Sequence, residues 1–181
     1  MIYIFFLYNY FMKLNLDPDV LKMPLEDIIK EALQNARNIK EKIYLALMYF
    51  QYINRLSTNK AVILFKEYIL SDGQKSSYPI TIYYKDSMIK SIQVPLKIDE
   101  FLSRFLPEIM NHKDLVSRMH KNKYIKFVKN YLKINASDIT AHAIYKMIND
   151  IGIHNLIALN KHWALLSRKI IPYVIKNGIQ I

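Results

Sequence analysis

At 181 residues the chain has room for one domain of ordinary size and not comfortably for two. It contains no Cys and three Gly, which excludes a disulfide scaffold, thiolate zinc sites and cysteine nucleophiles, and argues against a glycine-rich phosphate loop. Lys and Arg number 26 against 15 Asp and Glu, a net charge of +11. The excess is uneven: residues 1–100 carry 13 basic and 11 acidic side chains, and residues 101–181 carry 13 and 4. Positive charge gathered in one half points to a polyanion, either nucleic acid or an acidic membrane surface. The 14 Tyr and the abundance of Ile, Lys and Asn fit AT-rich coding as well as they fit any function.

The chain opens on MIYIFFLYNYFM, which is almost wholly apolar. A membrane span needs about 20 such residues, so this run is too short. A secretory signal needs a basic start and a small-residue cleavage site, and neither is present. Residues 1–16 are therefore set apart as an apolar segment without an assigned role, residues 17–181 are expected to form one domain, and the expected location is intracellular.

From Pro24 the spacing of Leu25, Ile28, Ile29 and Leu33 predicts an amphipathic helix. Lys40–Arg55 reads as a second, more deeply buried helix, and Asn59–Tyr68 as a short third one. Ser71–Ser77 is the clearest loop. The period then changes: Ile80–Tyr84 and Ile89–Val94 are β-branched and aromatic, and they flank Lys85-Asp86-Ser87 as a hairpin would, with Pro95 ending the second strand. Helical spacing returns over Ile98–Met110 and from about Lys113 to Lys133. In the latter, Tyr124, Phe127, Val128 and Tyr131 form one stripe, while Lys121, Lys126, Lys129 and Lys133 lie largely elsewhere. Ser137 or Asp138 is placed to cap a helix over Ile139–Asp150, with Gly152 ending it. His154–Leu159 and Leu165–Ile175 complete a helical C-terminus. The fold class expected is mainly α with a small antiparallel β-hairpin.

Three features stand out chemically. Arg55 leaves an apolar helix, where its guanidinium must reach water or meet an anion. Lys85 sits at the hairpin tip. His142, His162 and Tyr173 lie near the C-terminus with Lys146 and Arg168, and His142 and Tyr145 share a helix face. No His or carboxylate spacing matches a metal site, so neither a metal nor a cofactor is expected.

In this order, the features resemble the catalytic domain of tyrosine recombinases, most nearly integrases of the archaeal fusellovirus type. Arg55-Leu56-Ser57 is similar to the arginine segment that follows the family's buried helix. Ile139-Thr140-Ala141-His142-Ala143-Ile144-Tyr145 is similar to the segment bearing the His/Lys-x-x-Arg motif. Leu159-Asn160-Lys161-His162-Trp163 is similar to the next His or Arg stretch, and Tyr173 falls near the nucleophile's place. The resemblance covers about residues 17–177. It implies a tyrosine recombinase-like fold and metal-free strand exchange on double-stranded DNA through a 3′-phosphotyrosyl link. Arg55 would clamp phosphate, Lys85 (or Lys90) would protonate the leaving oxygen, His142 and His162 would assist, and Tyr173 would attack. Lys121, Lys126, Lys129, Lys146 and Arg168 would contact DNA. The family usually acts as a tetramer on paired sites and takes no small-molecule substrate.

The departures are specific. The family's second arginine falls at Tyr145, which supplies no fixed charge; Lys146 points about 100° round the helix, and Arg168 substitutes only if the fold brings it close. Thr58 replaces the acidic residue that commonly follows the first arginine. Losing one charge-assisted phosphate contact costs roughly 10²–10³ in rate. The resemblance does not extend to the upstream DNA-binding arm that such enzymes usually carry, and the expectation is a severed catalytic half of a longer integrase. A second reading is a basic, non-catalytic DNA-binding protein derived from an integrase. A third, a membrane-surface protein using the apolar start and the basic helices, ranks last.

Overall fold

The computed structural model describes residues 18–84 and 87–151. Nine helices and one hairpin occur among them: α1 (Pro18–Lys22), α2 (Leu25–Gln34), α3 (Ile39–Asn54), α4 (Thr58–Leu70), β1 (Ser77–Tyr84), β2 (Ser87–Pro95), α5 (Glu100–Ser103), α6 (Leu106–Met110), α7 (Lys113–Ser117), α8 (Lys121–Leu132) and α9 (Ala136–Ile151). The chain is thus mainly helical with a small antiparallel sheet. No helix among the described residues is long and apolar enough to cross a membrane.

Helix α3 is the axis of the core. Asn38 caps it by accepting from the Glu41 amide at 2.9 Å, and the Glu41 carboxylate reaches back to the Arg37 amide at 2.9 Å. Every residue from Ile43 to Asn54 is buried, because α2, α4, α8 and α9 surround it. Helix α2 contributes Leu25, Ile29 and Leu33, each fully buried, so the spacing read from the sequence is the face that packs on α3. Phe50 and Phe65 meet edge-on at 5.3 Å and join α3 to α4.

The hairpin is rooted by Tyr78 and Val94, which face each other across the sheet and are both buried. Tyr84 pairs with Ser87, leaving a connection of residues 85 and 86, and the ladder is irregular between Ile82 and Tyr83.

Several expected boundaries shift. The single helix expected over Ile98–Met110 is two, α5 and α6; Pro107 has no amide to donate to the Ser103 carbonyl, so the helical ladder is interrupted there. Lys113–Lys133 also divides, into α7 and α8. Met119 is buried at the break, and the Lys66 ammonium donates to the carbonyls of Ser117 and Met119 at 2.8 and 3.2 Å. The aromatic stripe of α8 is narrower than expected: Tyr124 and Val128 are buried, but Tyr131 is 41% exposed and stacks on Phe127. Asp138 lies inside the first turn of α9 rather than before it, and reaches back to accept from the Asn135 amide at 2.9 Å. Residues 1–16, Gly152 and the C-terminal helices expected beyond it lie outside the described residues.

Candidate functional site

The site forms where α3 ends. Asn54 is its last helical residue, and Arg55 caps it in the left-handed region at φ 53°, ψ 37°. The Leu56 amide reaches back to the Gln51 carbonyl at 3.2 Å, a closure at which glycine is the usual cap. Holding an arginine there costs about 1 kcal/mol relative to glycine. Asn54 fixes what lies opposite: its amide nitrogen donates to the Phe50 and Lys97 carbonyls at 3.0 Å each, and its oxygen accepts from the Lys97 amide at 2.6 Å. Lys97, just after β2, is thereby held beside Arg55.

Helix α9 is joined to this end of α3 by a buried polar network. Gln51 donates to Thr140 Oγ1 at 2.9 Å and the Ala136 carbonyl at 2.8 Å, and accepts from the Tyr124 hydroxyl at 2.6 Å. Thr140 donates to the Leu56 carbonyl. Two residues on, His142 Nδ1 lies 3.3 Å from the Tyr52 hydroxyl, and its Nε2 lies 2.7 Å from the Met23 carbonyl. A carbonyl only accepts, so Nε2 carries the proton and Nδ1 accepts from Tyr52. Burial holds the His142 pKa below the usual imidazole value, so the ring is neutral at pH 7.

Two adjoining clefts share Glu26, Tyr52 and Lys146. His142 and Tyr145 line one; Arg55, Lys97 and Asp150 line the other. Lys146 donates to Glu26 at 2.7 Å, and Lys30 meets the other oxygen of that carboxylate at 2.8 Å. Burial pushes the Glu26 pKa up, but its hydrogen bonds to the two lysines outweigh it and the carboxyl sits below its usual range. The Arg55 Nε is buried and has no hydrogen-bond partner among the described residues. Desolvation lowers the Arg55 pKa, yet an arginine remains a cation under any folding condition. The cleft sets Arg55, Lys97 and Lys146 against Glu26 and Asp150, a net excess of one positive charge, and an Nε without a hydrogen-bond partner among the described residues is compatible with an oxyanion there.

No family model, curated protein or solved structure matches this chain.

Of the residues expected from the sequence, Arg55, His142, Tyr145 and Lys146 are gathered around Tyr52. Lys121, Lys126 and Lys129 are exposed on α8 and line neither cleft. Lys90 stands opposite Ile82 in the sheet. Lys85, His162, Arg168 and Tyr173 lie outside the described residues. Tyr52, Asn54, Lys97 and Glu26 are not among the site residues expected from the sequence, although Gln51 and Asn54 are polar residues inside an apolar run, which is a signal that their side chains have buried partners. Among the described residues no group of three or more His, Asp or Glu side chains is arranged to hold a metal.

Proposed function

We propose that this chain is the catalytic domain of a tyrosine recombinase-type integrase, which cuts and rejoins duplex DNA through a 3′-phosphotyrosyl intermediate. The observation that carries the reading is Arg55, a cation kept at a glycine-favouring cap with a buried Nε that has no partner among the described residues, beside Lys97 and Lys146 and next to Tyr52, whose hydroxyl meets His142. In this mechanism Arg55 binds nonbridging oxygens of the scissile phosphate and offsets charge developing in the phosphorane. The Tyr173 oxygen forms the new bond to phosphorus as its proton passes to a histidine, His162 or His142, while the bond from phosphorus to the 5′ oxygen breaks and Lys85 supplies the proton that oxygen takes up. His142 takes part only after giving up its bond to the Met23 carbonyl. Such a protein works inside the cell, as a homo-oligomer on paired DNA sites.

The test is covalent trapping. In EDTA, nicked duplexes should yield an adduct stable to denaturing electrophoresis with the wild-type protein and none with Tyr173→Phe. Two observations favour the second reading, a DNA-binding protein that does not cut: both ring nitrogens of His142 are already engaged, and Tyr145 falls where the resemblance calls for a second arginine. Salt-sensitive DNA binding without any adduct selects that reading, and absence of DNA binding overturns both.

A further inference from the structure

A third cleft lies at the opposite end of α3. Its mouth carries Lys40 from the first turn of α3, Arg118 from the end of α7 and Lys123 from the first turn of α8, over a floor of Tyr44, Leu115 and Met119. Among the described residues no acidic side chain lines it. The described ion pairs engage Lys30, Lys42, Lys75, Arg104, Lys113 and Lys146, and none of the three cleft cations. Residues 113–133 hold seven Lys and Arg against Asp114 alone. Like charges left together without counterparts raise the free energy of the isolated protein, and a polyanion removes that cost.

The cleft is also built rigidly. The Tyr44 ring stacks on Phe127 at 4.9 Å and lies parallel to Tyr124 at 6.4 Å. Lys66 holds the carbonyls on either side of Arg118, those of Ser117 and Met119, and so fixes the turn that carries the guanidinium. Lys40 and Arg55 are 15 residues apart on or at the end of one helix, about 22 Å along its axis at 1.5 Å per residue. The third cleft is therefore separate from the site around Arg55.

We propose that this cleft binds backbone phosphates of duplex DNA, as an anchoring contact independent of the Arg55 site. The inference rests on the DNA-directed reading given above. Charge complementarity selects the partner: a concave, three-cation mouth fits a phosphate ridge, whereas a lipid surface is met by a convex apolar ridge. Contacts to phosphate carry no base information, so this anchoring contact is independent of sequence.

A salt titration of binding to a short fluorescent duplex tests it. Changing Lys40, Arg118 and Lys123 together to Ala should lower the log–log salt slope by about two to three, at about 0.9 per phosphate released. A control variant changing Lys60, Lys75 and Arg104 to Ala removes equal charge elsewhere and should leave the slope near wild type. Circular dichroism confirms that each variant folds, since all six heads are on the surface. An unchanged slope in the cleft variant overturns the inference while leaving the DNA reading standing. An equal drop in both variants reduces the cleft to net charge and also overturns it. Loss of binding to anionic vesicles, with DNA binding intact, assigns the cleft to a membrane instead. Failure of the wild-type protein to bind DNA removes both the inference and the reading beneath it.

Discussion

The Nε2 of His142 lies 2.7 Å from the carbonyl oxygen of Met23, 119 residues earlier in the chain. This bond, with the Tyr52 hydroxyl on Nδ1, docks the start of α2 onto α9 through a neutral ring. Burial lowers the His142 pKa; the bond to Met23 opposes that shift and the charge of Lys146 adds to it. As pH falls, the unfolded chain takes up this proton first, so the contribution of His142 is complete above about pH 6.5 and is lost on acidification. The urea midpoint of the wild-type protein should fall between about pH 7.5 and about pH 5 more steeply than that of His142→Gln. Parallel profiles contradict the assignment of a buried neutral ring.

Gln51 joins three helices and is fully buried. Replacing it with Leu strands the Tyr124 hydroxyl and removes one partner each from Thr140 and the Ala136 carbonyl. The expected loss is about 3 kcal/mol, and about 1–2 kcal/mol for Tyr124→Phe. Denaturant unfolding measures both. A Gln51→Leu protein as stable as wild type shows that the network does not hold α9 in place.

Glu26 neutralises Lys146 beside the cleft that holds Arg55. Its pairs are at least partly exposed, so their contribution to stability is small. Their effect on a polyanion is larger, because the carboxylate repels phosphate from the same opening. Glu26→Gln should bind duplex DNA about two- to fivefold more tightly at low salt, with the gain fading as salt rises. Equal or weaker binding places the DNA elsewhere.

Helix α3 is legible in the sequence because Ile43–Phe50 is an apolar run of helical length, while its cap, Asn38 with Glu41, lies before the Lys40 start read from the sequence. The hairpin is legible because alternating β-branched and aromatic residues flank a polar turn. The break between α7 and α8 is not, since no Gly or Pro marks it and the Lys66 ammonium that satisfies its carbonyls comes from more than 50 residues away. The same holds at the site. Arg55 and His142 draw notice as residue types, but the Tyr52, Asn54 and Met23 contacts that set their surroundings span 43 to 119 residues and leave no local pattern.

The central claim is that Arg55 is retained for an anion at some cost to folding, and Arg55→Gly tests it with two readings on one protein. Glycine relieves the left-handed cap at φ 53° and removes a buried Nε that has no partner among the described residues, so the denaturation midpoint should rise by the equivalent of about 1 kcal/mol. Adduct formation on nicked duplexes should fall by roughly 10²–10³, and duplex affinity should fall with it. A variant that is less stable, yet binds DNA as wild type does, contradicts the account and makes Arg55 a structural residue.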